Sequence, residues 1–323
     1  MLHIANISYI HERKIVLSTK TSWCLCVPKL KLEGILVPHI TPFECNGEID
    51  TKALRRLVQF WIDGGLSGLV TCGSNGEAPY LLREERRKLL EAVVDEVNGK
   101  VPVIAGTGAI GTKETVQLTV DARDVGVDAA LVVTPFYFRH SVEELYAHYS
   151  AVLEAVDLPI IVYNVPKFTG FSLEPALVER LSSEYSQVVG IKDSSGSYSQ
   201  ITELVRLVGK KISVLAGTAD LALPTLTLGG KGAVIAVANV APKLCSELYD
   251  AFKDGDCVRA WELQKKISHI NEVLVIRHNQ LAAIKEALNI MGLPAGYPRK
   301  PTLPLNEREK AEIRKFIEKF NLN

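Results

Sequence analysis

Short, almost entirely apolar segments alternate with longer segments of mixed polarity from residue 34 onward. The apolar segments are rich in β-branched residues and end in clusters of Gly, Ser, Thr or Pro. They occupy residues 35–40, 66–70, 101–105, 129–133, 159–162, 188–191, 212–216 and 233–237. Segments this apolar, without a polar residue at every second position, suit parallel strands that are buried on both faces. The pattern therefore predicts eight parallel strands.

The segments between these strands have helical spacing. In residues 82–97 the apolar side chains, Leu89, Leu90 and Val93 among them, fall on one helical face. Ser141 followed by Glu144 forms a capping-box pattern at the start of another helix. Eight strand–helix alternations favour a closed (β/α)8 TIM barrel over a doubly wound sheet, which usually has fewer strands.

The strand pattern ends near residue 240. Residues 242–252, 257–274, 280–291 and 306–320 have helical patterns instead. We therefore expect three parts: an N-terminal tail outside the fold (1–33), the barrel (34–240) and a C-terminal helical extension (241–323). The tail lacks both clear periodicity and the order of a signal peptide, and an upstream-extended start codon is our hypothesis for it.

Composition and charge are those of an ordinary globular protein, with 47% hydrophobic and 23% charged residues. The 37 basic and 37 acidic residues cancel, so no charge surplus indicates a nucleic-acid partner. No apolar stretch approaches the roughly 20 residues that cross a bilayer. The six cysteines show neither a disulfide framework nor the spacing of a metal site. We expect a cytoplasmic protein without a metal.

The chemistry of such a barrel lies where its strands end, at their carboxyl ends. Lys192 directly follows the apolar segment 188–191 and is expected at the barrel mouth. Burial there disfavours the ammonium form and leaves a free amine that can attack a ketone to form an imine. The alternative is a structural ion pair with Asp193 or Glu77, and position alone does not separate the two.

Other polar residues at strand ends could serve the same cavity. Tyr163 ends the preceding strand and is either a core aromatic residue or, beside a catalytic lysine, a proton shuttle. Ser74 and Asn75 lie in a glycine-flanked loop with accessible backbone amides, which suits a carboxylate. The glycine-rich stretch 229–232 lacks a Walker pattern and is typical of a tight loop rather than a phosphate site.

Seven motifs stand at strand ends in a fixed order: GSNGE (73–77), PVIAGTG (102–108), VTPFYF (133–138), YNVPKFTG (163–170), GIKDSSG (190–196), LAGTAD (215–220) and AVANV (236–240). Together they resemble the dihydrodipicolinate synthase/N-acetylneuraminate lyase family of class I aldolases. The resemblance runs from about residue 34 to the C-terminus.

The resemblance implies a role for each matching residue. Lys192 would form the Schiff base with pyruvate, and Tyr163 would exchange protons with the imine in a relay with Ser74 and Tyr137, the last supplied by a neighbouring subunit. The substrate side would be held by Asn75, Val234, Gly217 and Ser194. The imine serves as electron sink, so neither a metal nor another cofactor is implied, and the assembly would be a homotetramer.

One departure from the family pattern concerns the second substrate. The synthase has an arginine in the YNVP-x-R-T-G segment to grip that substrate's carboxylate, and this chain has Phe168 there. Losing a bidentate guanidinium should weaken binding of such a substrate strongly. The GSNGE, KDSSG and LAGTAD motifs look closest to a 4-hydroxy-2-oxoglutarate aldolase, and sugar-acid aldolases are a further possibility.

Three other functions compete with a pyruvate-forming or pyruvate-using lyase. They are 4-hydroxy-tetrahydrodipicolinate synthesis from pyruvate and aspartate semialdehyde, a barrel that only binds a metabolite, and a phosphate-binding barrel isomerase. Phe168 argues against the first, and the joint presence of Lys192, Tyr163, Tyr137 and Ser74 argues against the second. Asp220, after Gly217, does not favour a phosphate.

Overall fold

Eight parallel strands close into a barrel in chain order, and β8 pairs with β1 to complete it. The computed structural model describes residue 30 and residues 32–322. The strands are β1 Gly34–Pro38, β2 Gly68–Thr71, β3 Val103–Gly106, β4 Ala129–Val133, β5 Ile160–Asn164, β6 Val188–Asp193, β7 Ser213–Ala216 and β8 Gly232–Val234. The predicted (β/α)8 TIM barrel is confirmed. Residues 1–29 and 31 of the predicted tail lie outside the described residues.

Helices follow every strand and cover the outside of the barrel. They are α1 Thr51–Asp63, α2 Arg83–Val97, α3 Thr112–Val125, α4 Val142–Ala155, α5 Pro166–Thr169, α6 Pro175–Glu184, α7 Tyr198–Val208 and α8 Ala222–Thr227. The predicted capping box at the start of α4 is confirmed: the Ser141 hydroxyl accepts from the Glu144 amide at 3.3 Å, and the Glu144 carboxylate accepts from the Ser141 amide at 2.7 Å.

Side chains that point into the barrel form a cluster of their own, separate from the larger core between strands and helices. The inner cluster contains Leu32, Leu36, Val70, Ile104, Ala129, Leu131, Ile161, Tyr163, Val165, Leu215 and Val234. Because successive strand residues face opposite sides, Ile191 packs in the outer core while Lys192 faces the inside. Leu32 is buried in the inner cluster, so barrel packing begins before the predicted boundary at residue 33. The partition at residue 240 stays a prediction.

The last strand is shorter than the apolar pattern suggested. Strand β8 ends at Val234, and Ala236–Asn239 form a 3₁₀ turn, so the prediction of a strand to residue 237 was wrong. The Asn239 side chain causes the turn. Its Nδ2 donates to Pro38 O at 3.1 Å, and its Oδ1 accepts from the Ile40 amide at 3.0 Å, which ties this segment across the end of β1.

The C-terminal part is helical, as predicted. It consists of α9 Pro242–Lys253, α10 Cys257–Asn271, α11 Gln280–Ile290 and α12 Glu307–Phe320. The expected helix over 257–274 changes at Asn271 into a π-helical segment, Glu272–Arg277. Residues 275 and 276 of that segment, together with residues 278–281 after it, line a cavity. Across the described residues, no helix is long and apolar enough to cross a membrane.

Candidate active site

Lys192 lies at the carboxyl end of β6 with its side chain directed into the barrel. It is 5% exposed and stands opposite Tyr163 in the β5–β6 register. Its Nζ lies 4.4 Å from the centroid of the Tyr163 ring. The aromatic ring therefore shields one side of the amine from water.

The two carboxylates that could neutralise Lys192 are bound to other groups. Asp193 points to the outside of the barrel, where it accepts from Asn164 Nδ2 at 2.7 Å and from Gln200 Nε2 at 3.0 Å. Glu77 pairs with Lys285. Within the described part of the chain no ion pair includes Lys192, so the alternative of a structural ion pair with Asp193 or Glu77 was wrong. An amine without an ionic partner remains available as a nucleophile.

The loop after β2 holds the predicted carboxylate-binding residues. Three hydrogen bonds fix it: Thr41 Oγ1 donates to Gly76 O at 2.8 Å, the Glu77 amide donates to Ser74 O at 3.1 Å, and the Ala78 amide donates to Gly73 O at 3.3 Å. Ser74 is partly exposed and lines a cavity. Because its backbone is pinned on both sides, this loop presents its polar groups in one arrangement.

A buried network of charged residues holds the same loop through Glu77. It was not predicted from the sequence. Glu77 adopts a left-handed backbone conformation, φ +57°, and its carboxylate accepts from Lys285 Nζ and, at 2.8 Å, from the Arg299 amide. Lys285 is 1% exposed. Burial lowers the pKa of Lys285 to about 8, against the opposing attraction of Glu77. A charged residue on the apolar face of the helix at 280–291 was the signal that could have found it.

A cavity of about 620 Å³ opens at the carboxyl end of the barrel. Ser74 and Tyr163 line it on the barrel side, and Lys167 and Phe168 line it after β5. Val275, Ile276, His278, Asn279, Gln280 and Leu281 form the wall contributed by the C-terminal part. The volume suits a small-molecule substrate, and this C-terminal wall was not anticipated from the sequence.

The structure does not bring all the predicted residues to this cavity wall. Lys192, Asn75 and Val234 are buried and are not among the residues that line it. Tyr137 is 83% exposed, has φ +82° and contacts the ring of Phe138. No hydrogen bond within residues 32–322 links Tyr137 to Tyr163 or Ser74. The predicted relay is therefore not assembled within one subunit.

Gly217 and Ser194 lie against each other. A Cβ added at Gly217 would stand 1.8 Å from Ser194 Oγ and 3.0 Å from Asp193 O. Glycine is therefore required at 217 to leave room for the Ser194 hydroxyl. That hydroxyl is buried and has no hydrogen-bond partner among the described residues.

Two further properties of the described residues bear on the chemistry. They contain no group of three or more His, Cys, Asp or Glu side chains arranged to hold a metal ion. Cys72, on the cavity wall, is buried, and burial raises the pKa of its thiol to about 12. Cys72 is therefore a neutral thiol near pH 7 and a weak nucleophile.

A scan of the sequence against protein-family models matches residues 31–320 to the dihydrodipicolinate synthetase family. The chain belongs to this family. Its members are lyases that form a Schiff base between a lysine and pyruvate and need no cofactor, and this chain is accordingly a Schiff-base-forming lyase.

Sequence relatives and solved structures agree with the family membership. The 4-hydroxy-tetrahydrodipicolinate synthase of Methanothrix thermoacetophila is 41% identical over 289 residues, which is 89% of this chain and 97% of the relative. A crystal structure of dihydrodipicolinate synthase (dapA) superposes with a TM-score of 0.86 at 39% identity, covering 90% of this chain and all of that one. YagE from E. coli, a family member solved with pyruvate, superposes with a TM-score of 0.87 at 32% identity, covering 90% and 99%. The curated relatives at about 40% identity are named as the synthase, not as a sugar-acid aldolase.

Proposed function

We propose that Lys192 is the lysine that forms the imine, and that pyruvate is the 2-oxo acid it binds. The observation that carries this proposal is a nearly buried amine at a strand end that has an aromatic neighbour and no ionic partner among the described residues. Its Nζ attacks C2 of pyruvate, and loss of water leaves a protonated imine. That cation accepts the electron pair of C3 when a C3–H or C3–C4 bond breaks.

Tyr163 is the group we propose to move protons at this imine. Its ring touches the Lys192 amine and its side chain lines the cavity, so one residue contacts both the imine and the substrate space. Its hydroxyl takes the proton released from C3 and returns it to the aldehyde oxygen. Ser74 and Tyr137 complete the relay in this proposal, with Tyr137 donated by a second subunit.

The pyruvate carboxylate is assigned in this proposal to Asn75 and to the backbone amides near Ser74. The fixed loop geometry supports the assignment, because a pinned loop has little entropy to lose when it binds an anion. Val234 and the Gly217–Ser194 pair shape the far side of the pyruvate pocket, Val234 by its apolar side chain and Gly217 by the space that it leaves.

For the aldehyde partner we propose an aldolase reaction of the 4-hydroxy-2-oxoglutarate or sugar-acid type. Phe168 supports the sugar-acid type most directly: it lines the cavity, is 50% exposed and carries no charge. A carboxylate placed beside it, whether that of aspartate semialdehyde or that of the glyoxylate half of 4-hydroxy-2-oxoglutarate, would lose hydration without gaining an arginine partner.

The second candidate is 4-hydroxy-tetrahydrodipicolinate synthesis. It is favoured by the relatives at 40–41% identity, which are named 4-hydroxy-tetrahydrodipicolinate synthase. The two candidates share the imine step and differ only in the aldehyde. Product formation from pyruvate with aspartate semialdehyde, compared with cleavage of 4-hydroxy-2-oxoglutarate and of sugar-derived 2-oxo acids, therefore separates them.

Borohydride trapping tests the proposed chemistry directly. Reduction in the presence of pyruvate should add one pyruvate-derived group to the intact protein, and peptide mapping should find it on Lys192. The Lys192→Ala variant should fold, take up no adduct and lose turnover. An adduct on another lysine, or normal turnover of Lys192→Ala, would show that the assignment is wrong.

We further propose a cytoplasmic homotetramer. Tyr137 is exposed and has a positive φ. Both properties support an assembly in which the Tyr137 side chain contributes to the site of a neighbouring subunit. Free cysteines at Cys45, Cys72, Cys245 and Cys257 are compatible with a reducing compartment.

A further inference from the structure

The side chain of Asn75 is held by a residue that neither the family motifs nor the strand ends include. Gln280 Nε2 donates a hydrogen bond to Asn75 Oδ1 at 2.7 Å. Asn75 is 5% exposed, whereas Gln280 is half-buried on the cavity wall. The two residues are 205 positions apart in sequence, so the contact joins the loop after β2 to the first turn of α11.

Both ends of this hydrogen bond are themselves fixed. The loop that carries Asn75 is pinned through Gly76 O and Ser74 O. Gln280 is the first residue of α11, and Asn279 caps that helix by accepting from the amides of Leu281 at 3.1 Å and Ala282 at 3.4 Å. Because the backbone on each side is already held, the hydrogen bond fixes the rotation of the Asn75 side-chain amide.

The orientation of that amide decides what Asn75 offers to a ligand. With Oδ1 occupied by Gln280, the remaining group is the Nδ2 donor, which has no partner among the described residues. This nitrogen is also not one of the fully enclosed, unpaired polar atoms of the structure, so it keeps some access to solvent, and its neighbour Ser74 lines the cavity. An NH₂ group in that place attracts a carboxylate, whereas the amide oxygen in the same place would repel it.

We propose that Gln280 is a positioning residue that turns the Asn75 amide so that its NH₂ group faces the carboxylate of the 2-oxo acid. The inference rests on the proposed function, because it needs a 2-oxo acid bound at Lys192. Gln280 touches neither the amine nor the reacting carbon, so its effect should fall on binding of the 2-oxo acid more than on turnover.

The decisive variant is Gln280→Glu, which changes a donor into an acceptor at almost constant size. A carboxylate at 280 can only accept, so it should bind the Asn75 NH₂ group and turn Oδ1 toward the substrate. We expect the pyruvate concentration for half-maximal borohydride trapping on Lys192 to rise about tenfold or more. The kcat at saturating pyruvate should fall by less than about threefold.

Two further variants test the direction of the hydrogen bond. Gln280→Lys supplies a side chain that can only donate, so it should keep the amide orientation. Its pyruvate concentration for half-maximal trapping should stay within about twofold of the wild-type value. Gln280→Met removes the bond without imposing either orientation and should give a rise of about threefold. If Gln280→Glu does not fold, as judged by circular dichroism, the Gln280→Met and Gln280→Lys pair still decides the question.

An Asn75→Ala background separates the hydrogen bond from the added charge. If Gln280→Glu acts through the Asn75 amide, its effect should disappear in Asn75→Ala, whereas simple charge repulsion would persist there. An unchanged half-saturating concentration in Gln280→Glu, or an equal effect in both backgrounds, would overturn the inference while wild-type trapping upheld the proposed function. Absence of any adduct in the wild type would reject both.

Discussion

Two buried lysines have opposite surroundings. Lys285 is enclosed with a carboxylate from Glu77 and a carbonyl from Tyr297, the latter at 2.8 Å. Lys192 has the ring of Tyr163 beside its amine and no hydrogen-bond or ion-pair partner for that amine among the described residues. Removing one partner of a buried ion pair leaves an uncompensated charge, so Lys285 is suited to hold structure. An amine that no carboxylate holds can leave its resting position and bond to carbon, which supports the proposed role of Lys192.

The hydroxyl of Tyr163 can be tested by itself. Tyr163→Phe should lower kcat by roughly 10²–10⁴-fold, the range typical of a general acid–base group, while pyruvate trapping on Lys192 persists. Steady-state kinetics together with intact-mass trapping measure the two effects. Tyr149→Phe is the matched control, since Tyr149 is also buried and its hydroxyl donates a hydrogen bond to Val132 O at 3.1 Å. An unchanged rate in Tyr163→Phe would reduce Tyr163 to a packing residue.

Phe168 offers a gain-of-function test of the aldehyde partner. Phe168→Arg should add a bidentate carboxylate partner to the cavity wall and raise kcat/KM for condensation of pyruvate with aspartate semialdehyde about tenfold or more. Because Phe168 is half exposed, stability should change by no more than about 0.5 kcal/mol. Phe168→Leu removes the ring without adding charge and should show no gain. Efficient condensation by the wild type would instead establish the synthase reaction.

At the residue scale, the sequence predicted types and positions better than pairings. Lys192 and Tyr163 could be placed near the barrel mouth because each is a polar residue at the end of an apolar strand. Gln280 could not be found in this way, because its partner Asn75 comes from the other end of the chain and only the closed fold brings the two together.

At the scale of elements, the C-terminal segment clamps the loops at the barrel mouth. Arg299 binds Glu85 of α2 through two hydrogen bonds, each 2.7 Å long, and donates to Tyr80 O at 3.0 Å. Its backbone amide also binds Glu77. One arginine therefore connects the end of the chain to α2 and to the loop that carries Ser74 and Asn75.

This clamp should be sensitive to acid. The hydrogen bond from Arg299 holds the pKa of Glu85 below its ordinary value of 4.5. A lowered carboxyl pKa in the folded state adds stability above pH 4.5, and that stability is lost as the pH falls through the lowered pKa. Glu85→Gln should therefore cost about 2 kcal/mol of unfolding free energy near neutral pH.

Urea denaturation over a pH series measures the loss. The difference between wild type and Glu85→Gln should shrink as the pH falls below 4.5, because Glu85 becomes neutral in both states. Glu84→Gln is the control, since this neighbouring side chain is exposed, and it should change stability by no more than about 0.5 kcal/mol. A difference that stayed constant across the acid range would show that the ionic contact with Arg299 contributes little.

Element boundaries were predictable only where local sequence sets them. Ser141 and Glu144 start α4 by their own hydrogen bonds, so their pattern was sufficient. Strand β8 ends early because Asn239 bonds to Pro38 and Ile40, about 200 positions away. An apolar run cannot show that a distant side chain ends it.

At the scale of the whole molecule, one subunit holds Lys192, Tyr163 and Ser74 in or beside one cavity but leaves Tyr137 outside it. Tyr137 nevertheless has a left-handed backbone, φ +82°, which is strained for a tyrosine. Its neighbour Phe136 lines the cavity, and a strained, exposed aromatic residue in this place supports the proposal that a second copy uses it. The sequence could place Tyr137 at a strand end, but only the fold showed that its own subunit gives its hydroxyl no partner among the described residues.

Mixing two inactive variants tests this use of Tyr137 across subunits. Tyr137→Phe keeps Lys192, and Lys192→Ala keeps Tyr137, so a hybrid interface contains one site with both groups. After joint unfolding and refolding in equal amounts, about a quarter of the sites should be active, because half of random pairs are hybrids and each has one complete site. Steady-state turnover measures the recovery, and size-exclusion chromatography with light scattering confirms the assembly. Turnover no higher than the sum of the two separate variants, in a mixture that still assembles, would mean that Tyr137 serves only its own subunit or none.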